Sequence, residues 1–146
     1  MKLGVYTIVN TPLPKLLKIK TINVNIEDFE YIENIVNILN NKLSMDKLDS
    51  EFIYALSLTY GLIPRGIILI GVGNNQSATE NLRGLGIGLL LTGAEQFMVF
   101  HNHPGGNKKP SKEDYGMTEL YKILGQSIGV EFYKHIMITQ NYYEEC

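Results

Sequence analysis

The sequence predicts an α/β fold in which a mixed β-sheet is sandwiched by helices. Three observations lead to this prediction. Short β-branched and apolar runs alternate along the chain with stretches of helical periodicity, in the order strands, helix, hairpin, helix, strand, helix, strand. The composition, 45% hydrophobic and 19% charged, is that of an ordinary globular protein. The length of 146 residues suits one domain, so we expect a single domain over residues 1–146.

The first half of the chain is predicted to form four strands and one helix. Residues 4–9 and 16–24 are short runs rich in β-branched side chains, which favour strands. Asn25 is expected to cap a following helix. The apolar stripe of that helix contains Phe29, Ile32, Val36, Leu39 and Leu43. Two apolar runs, 52–59 and 65–72, then predict an antiparallel hairpin.

The second half is predicted to contain two helices and two strands. Residues 79–92 are helical in pattern but hold three glycines, each of which costs about 1 kcal/mol relative to alanine, so we expect this helix to lie very close to the sheet. A buried strand, 97–100, runs into His101, and a further helix starts at Ser111. Residues 131–139 form the last strand, after which Tyr142 and Tyr143 are expected to close the core or an interface.

Composition argues against several classes of protein. A net charge of −2 gives no basic surplus, which argues against direct nucleic-acid binding. The single cysteine, Cys146, excludes a disulfide framework and argues against cysteine-ligated zinc. No apolar run approaches the roughly 20 residues needed to span a bilayer, and the start shows no signal-peptide pattern. We therefore expect an intracellular, cytoplasmic protein with no membrane partner.

The most informative stretch is His101-Asn102-His103-Pro104-Gly105-Gly106, which ends a buried strand. Alternate residues of a strand face the same side, so His101 and His103 project together, about 6.6 Å apart along the strand. The Pro and Gly residues turn the chain back, which could bring Asp114 to the same point. Two histidines and one carboxylate with an open fourth position are typical of a catalytic zinc site.

Each part of this pattern also has a purely structural interpretation. Two histidines at a strand end are often hydrogen-bonded packing groups, and His135, in the last strand, is expected to be one. Ser111 and Asp114 resemble a helix cap, although the Ser111 hydroxyl could instead point at an oxygen held by the metal. Residues 71–76 partly match a dinucleotide fingerprint, but the third glycine is missing, and we expect a loop beside the metal site.

The combination His101-x-His103, seven residues, Ser111-x-x-Asp114 resembles the zinc signature of the JAB/MPN (JAMM) metalloprotease superfamily in every spacing. Two segments are similar to sequences of its RadC-like branch: FHNHPGGNKKPSKED and KHIMIT. Arg83 also falls near an arginine that is usual in that branch. The resemblance covers about residues 51–139, without the helix-hairpin-helix module of longer members. It implies a JAB/MPN-like, cytidine-deaminase-like sheet sandwiched by helices.

The resemblance also implies a site. His101, His103 and Asp114 would bind Zn²⁺, and Ser111 would be catalytic by stabilising an oxyanion. Active members use a glutamate as general base, which we place on the second hairpin strand, where the matching position is Leu69. Among other acids, Glu95 is too far along the strand and Glu113 is expected to point away. Glu80 remains the least unfavourable substitute.

We therefore expect a metallopeptidase- or isopeptidase-type hydrolase site that is weakly active or inactive. Its substrate would be a peptide or protein tail, bound beside the hairpin as an added strand. A non-catalytic protein-binding module that keeps the fold and the metal is the alternative. A DNA-repair-associated role is a weaker alternative.

Overall fold

The computed structural model describes residues 1–73 and 78–146, and side chains in the second range from Asn81 onward. Its centre is one mixed sheet with the strand order β2-β1-β4-β3-β5-β6-β7. The strands are β1 (Lys2–Val9), β2 (Lys15–Asn23), β3 (Phe52–Leu58), β4 (Pro64–Val72), β5 (Gln96–Asn102), β6 (Glu131–Thr139) and β7 (Tyr142–Glu145). The α-helices are α1 (Ile32–Leu43), α2 (Ala78–Leu91) and α3 (Lys112–Ile128). This is the predicted α/β fold with a mixed sheet.

Strand pairing determines which strand ends lie next to His101. β3 and β4 form the predicted antiparallel hairpin, and β5 lies antiparallel to β3, along the edge of β3 that faces away from β4. In this register Ile53 pairs with His101. β6 runs parallel to β5, and β1 runs parallel to β4 over Val5–Thr7. The start of β3 and the end of β5 therefore meet at one edge of the sheet.

Each face of the sheet is covered by its own hydrophobic cluster, as alternation along the strands requires. On one face α1 packs with Leu39 against residues such as Leu56 and Phe100. On the other face α2 and α3 pack against Val99 and Phe97, with Tyr121 among the buried residues. His101 lies two residues after Val99, so its side chain points to the face covered by α2 and α3.

The first predicted helix begins later in the structure than the sequence predicted. Residues Ile26–Glu30 form a 3₁₀ turn, and α1 begins only at Ile32. Asn25 makes no side-chain cap; its backbone carbonyl accepts from the Asp28 amide at 3.2 Å instead. Tyr31 is extended, with φ −125°, and separates the two pieces. The apolar stripe is correct, because Phe29, Val36 and Leu39 are all buried.

The glycines of α2 play different parts. A Cβ at Gly88 would stand 3.0 Å from the Ile68 side chain on β4, so the expected close approach to the sheet occurs there. A Cβ on Gly86 would stand 3.6 Å from Leu124 of α3, and a Cβ on Gly84 would meet no other element within 4 Å among the described residues. Only one of the three glycines is therefore required by packing against the sheet.

The seventh strand was not predicted. A turn at Asn141, with φ 56°, reverses the chain, and β7 pairs antiparallel with β6 at the edge of the sheet. Tyr142 and Tyr143 are 36% and 38% exposed, so they do not close the core. In the part of the chain that the structure describes, no helix has the length and apolar character to cross a bilayer.

Candidate metal centre and catalytic cavity

The end of β5 is held rigidly against the start of β3. Asn102, between the two histidines, faces the opposite side from them, as a strand requires. Its Oδ1 accepts from the Phe52 amide at 2.7 Å, and its Nδ2 donates to the Ser50 carbonyl at 3.0 Å. These bonds fix the two histidines relative to the hairpin.

A capping box holds the third predicted ligand. The Ser111 hydroxyl accepts from the Asp114 amide at 3.0 Å, and Asp114 Oδ2 accepts from the Ser111 amide at 2.7 Å. This reciprocal pair satisfies two free amides at the start of α3. Because Asp114 sits in the first helical turn, its carboxylate is also favoured by the positive end of the helix.

His101, His103 and Asp114 converge on one point. His101 Nε2 lies 3.1 Å from His103 Nε2 and 3.2 Å from Asp114 Oδ1, and His103 Nε2 lies 3.1 Å from Asp114 Oδ2. Ligands about 2.0–2.1 Å from a tetrahedral zinc are separated by about 3.3 Å, so these edges are close to those of a metal site. The structure thus assembles the predicted trio as a group that could hold a metal ion.

The chemistry of these donors suits a cation. His103 Nδ1 lies 3.0 Å from the Asn107 carbonyl, which can only accept, so this nitrogen carries the proton and Nε2 keeps its lone pair. Burial alone would raise the pKa of the Asp114 carboxyl, but hydrogen bonds with His101 and Ser111 outweigh it and hold the pKa well below its ordinary value. Acceptor atoms about 3 Å apart repel one another unless a positive charge lies among them. The residues present therefore fit a divalent metal.

An open cavity of about 590 Å³ adjoins the trio. His103 and Asp114 form part of its wall, together with Ser111 at the start of α3. The Ser111 hydroxyl is observed in the capping bond described above. Its predicted catalytic role stays a prediction, although its place on the cavity wall is compatible with one.

The structure brings into this cavity an acid that sequence reasoning did not consider as a candidate base. Glu51 precedes β3 and lines the cavity with His103. The pairing of Ile53 with His101 explains this position, because two residues further along, Glu51 comes level with His103 on the same face. The signal in the sequence was an acid directly before a buried strand.

The expected base position at Leu69 is wrong for this fold. Its side chain packs against the α1 hydrophobic cluster, on the sheet face opposite to His101. Glu113 does line the cavity, contrary to expectation. Glu95 is correctly excluded, since its carboxylate accepts from the Tyr60 amide at the far end of β5. The side chain of Glu80 and residues 74–76 of the predicted loop lie outside the described residues, and residues 71–72 of that loop belong to β4.

Asn81 adds a polar group to the cavity wall. It is only 8% exposed, and its Oδ1 has no hydrogen-bond partner among the described residues. A Cβ on Gly71 would meet this carboxamide at 3.0 Å, so the glycine leaves the room that Asn81 occupies. A buried, unsatisfied acceptor is costly, and a ligand N–H would satisfy it.

His135 is a buried, hydrogen-bonded histidine, as predicted. It lies between His101 and Thr118, and burial, helped by the charge of His101, lowers its pKa to about 3. Its nitrogens, His101 and Cys146 also form a second group whose potential ligand atoms lie within 4.8 Å of one another. Burial, with the negative charge of Asp114, raises the pKa of the Cys146 thiol to about 12, which keeps it protonated.

Comparison with known proteins agrees with this geometry. A family model described as "RadC-like JAB domain" matches residues 29–144. A UPF0758 protein of Clostridium acetobutylicum is 32% identical over 104 residues, which are 69% of this chain and 45% of that protein. UPF0758 proteins of Thermotoga maritima and Clostridium tetani are 27% and 31% identical over 114 residues, or 78% of this chain.

The chain spans about half the length of the curated relatives it matches, since the same alignments cover 51% and 41% of the Thermotoga and Clostridium tetani proteins. The match nevertheless includes β3 to β6, α2, α3 and all three residues of the candidate metal centre. The chain belongs to the family of RadC-like JAB domains.

Proposed function

We propose that His101, His103 and Asp114 hold Zn²⁺ and that the chain hydrolyses a peptide or isopeptide bond. The observation that carries this proposal is the convergence of two imidazole nitrogens and one carboxylate, 3.1–3.2 Å apart, at the wall of an open cavity. Membership of the RadC-like JAB domain family supports it. When bound, zinc would act as a Lewis acid and lower the pKa of water towards about 7.

Glu51 is the residue we assign as general base. It stands on the cavity wall with His103, where a carboxylate can take a proton from water and deliver it to the leaving amine. Its position before β3 is fixed by backbone bonding, because its carbonyl accepts from the Gly73 amide at 2.6 Å. This assignment replaces the base expected near Leu69.

Two further groups would handle the substrate. The Ser111 hydroxyl would donate to the oxyanion that develops on the attacked carbonyl, since its present bond uses it only as an acceptor. Asn81 Oδ1 would accept from a substrate N–H, which would satisfy a buried acceptor that lacks a partner among the described residues. Both groups suit a substrate with an amide bond.

The substrate tail would bind as an extended strand along the end of β4. Both hairpin strands have neighbours in the sheet, so strand addition cannot occur along their whole length. The pairing of β1 with β4 covers only Ile67–Leu69. A tail could therefore pair with residues 70–72, where Arg83 lines a second cavity of about 330 Å³.

The alternative function is a protein-binding module without catalysis. Its main support was the lack of a glutamate at Leu69, and the presence of Glu51 at the cavity removes that support. Hydrolysis is therefore the better-supported proposal. A DNA-repair-associated role has no specific support in the site.

The proposal is tested on the full chain purified without chelators. We expect about one zinc per chain and slow cleavage of a peptide or isopeptide substrate library, detected by mass spectrometry. His103→Ala, which removes one of three ligands, should lose both the metal and the cleavage. A native chain that binds no zinc, or cleavage that survives in His103→Ala, would contradict the proposal. Zinc binding without cleavage would favour the binding module.

A further inference from the structure

A continuous chain of hydrogen bonds runs from His101 into the core, away from the cavity. His101 Nδ1 lies 2.8 Å from His135 Nε2, and His135 Nδ1 lies 2.7 Å from Thr118 Oγ1. Thr118 Oγ1 in turn donates to the Asp114 carbonyl at 3.1 Å. The three side chains are 2%, 2% and 5% exposed, so water does not compete for these bonds.

These hydrogen bonds can run in two directions, and counting hydrogens shows what each direction does to His101 Nε2. The Thr118 hydroxyl has one hydrogen, and the Asp114 carbonyl can only accept it. When the hydroxyl donates to that carbonyl, Thr118 Oγ1 accepts from His135 Nδ1, and His135 Nε2 is an acceptor in the neutral ring. His101 Nδ1 then donates to His135, and a neutral His101 has on Nε2 the lone pair that a metal ion would use in place of the contact with Asp114 Oδ1.

The opposite direction would block the metal. If Thr118 donated to His135, the His135 proton would sit on Nε2 and point at His101 Nδ1. His101 would then carry its own proton on Nε2, which faces His103 and Asp114. A protonated nitrogen cannot bind a metal ion. Donation from Thr118 to the Asp114 carbonyl therefore goes with the tautomer that metal binding needs.

We propose that His135 and Thr118 are positioning residues that fix the metal-binding tautomer and ring orientation of His101. The inference rests on the proposed metal site but not on hydrolysis. A ligating histidine commonly donates its other N–H to a carboxylate, a backbone carbonyl or water. Here the acceptor is the His135 imidazole, which is itself held by a hydrogen bond with the Thr118 hydroxyl. Thr118 lies one helical turn after Asp114. The helix that provides one ligand thereby orients another.

The first test measures zinc affinity by competition with a chromophoric chelator. His135→Leu and Thr118→Val remove a hydrogen-bonding group, and we expect zinc binding to weaken by about 10–100-fold, the usual effect of losing a partner of a metal ligand. His135→Gln keeps an acceptor near the Nε2 position, and Thr118→Ser keeps the hydroxyl. Both should stay within about threefold of the native affinity.

A matched control separates this role from general packing. Thr92 also has a partly buried hydroxyl, which lies 2.7 Å from Ser57 Oγ, away from the site. Thr92→Val makes the same chemical change as Thr118→Val and should leave zinc affinity unchanged. Equal losses in both variants, or native affinity in folded His135→Leu and Thr118→Val, would overturn the inference.

The second test observes the proton directly, by NMR of the chain with ¹⁵N-labelled histidine. We expect a slowly exchanging proton on His101 Nδ1 with a coupling across the hydrogen bond to His135 Nε2, and its loss in Thr118→Val. A proton found on His135 Nε2 instead would overturn the inference. The spectrum is also recorded on metal-free protein, so a native chain that binds no zinc would refute the proposed function while the position of the proton still decides the inference.

Discussion

The two sides of the candidate metal centre are built differently. The inner side, His101 with His135 and Thr118, is buried in the core and joined by consecutive hydrogen bonds. The outer side, Glu51 with Ser111 and Glu113, borders an open cavity and is partly or fully exposed. Buried hydrogen-bonded groups are costly to disturb, whereas exposed ones adjust to a ligand. Under the proposed function, we therefore expect the inner side to determine metal affinity and the outer side to determine turnover.

Glu51→Gln should have the largest effect that distinguishes the inner side from the outer side, because it should lower hydrolysis without lowering zinc affinity. The amide keeps the size of the side chain but cannot take a proton, so hydrolysis should fall by about 10²–10⁴-fold. Zinc affinity should stay within about threefold of native, because Glu51 belongs to the outer side. Both are measured on the same preparation, by peptide cleavage and by chelator competition.

Glu113→Gln is the matched control, since Glu113 lines the same cavity and undergoes the same change. Its cleavage rate should change only a few-fold. If Glu113→Gln loses the activity and Glu51→Gln keeps it, the general base is Glu113 of α3 and not Glu51. A large loss of zinc in Glu51→Gln would break the distinction between the sides.

The triad was predictable because its members are fixed by local spacing. His101 and His103 share a strand face, and Ser111 with Asp114 opens a helix, so neighbours in the sequence determine both pairs. Glu51 was not found because its place depends on which strand lies beside β5. The hairpin 52–72 was predicted correctly, but its pattern does not tell whether β3 or β4 pairs with β5.

Leu69→Glu tests whether the general base belongs on β4 or, as we propose, at Glu51 directly before β3. Because Leu69 packs against the α1 cluster, a glutamate there should lower the free energy of unfolding by about 2 kcal/mol and add no hydrolysis. Denaturant unfolding measures the loss. Leu17→Glu, on the exposed side of β2, is the matched control and should be nearly neutral. Increased cleavage by Leu69→Glu would restore the original assignment of the base to β4.

In metal-free protein, we expect the free energy of unfolding to depend on pH because of His135 on the inner side. The pKa of His135 is lowered to about 3 when folded and returns to its ordinary value near 6.5 on unfolding. Between these values the unfolded chain binds the extra proton, so stability falls as the pH falls, by up to about 1.4 kcal/mol per pH unit. His135→Gln lacks this titration. Its free energy of unfolding should fall less than that of the native chain between pH 6.5 and pH 5.5, and equal slopes would contradict the assignment.

The smallest expected effect concerns Cys146, which forms a second potential metal group with His101 and His135. Two features argue that this group does not compete with the first. The thiolate is the form that binds metal, and the pKa of about 12 keeps this thiol protonated at neutral pH. Both ring nitrogens of His135 are also within hydrogen-bond distance of other side chains.

Cys146→Ser should therefore change zinc affinity by less than about twofold, whereas His103→Ala should abolish tight binding. Cobalt substitution gives an independent measurement, because a thiolate ligand adds an intense near-ultraviolet charge-transfer band that nitrogen and oxygen ligands lack. We expect no such band in the native chain. Its presence, together with weaker binding in Cys146→Ser, would move the metal from the cavity to the core side of His101. Such a metal would take up the nitrogen that His101 now directs at His135, so the hydrogen-bonded inner side and the cysteine site exclude each other.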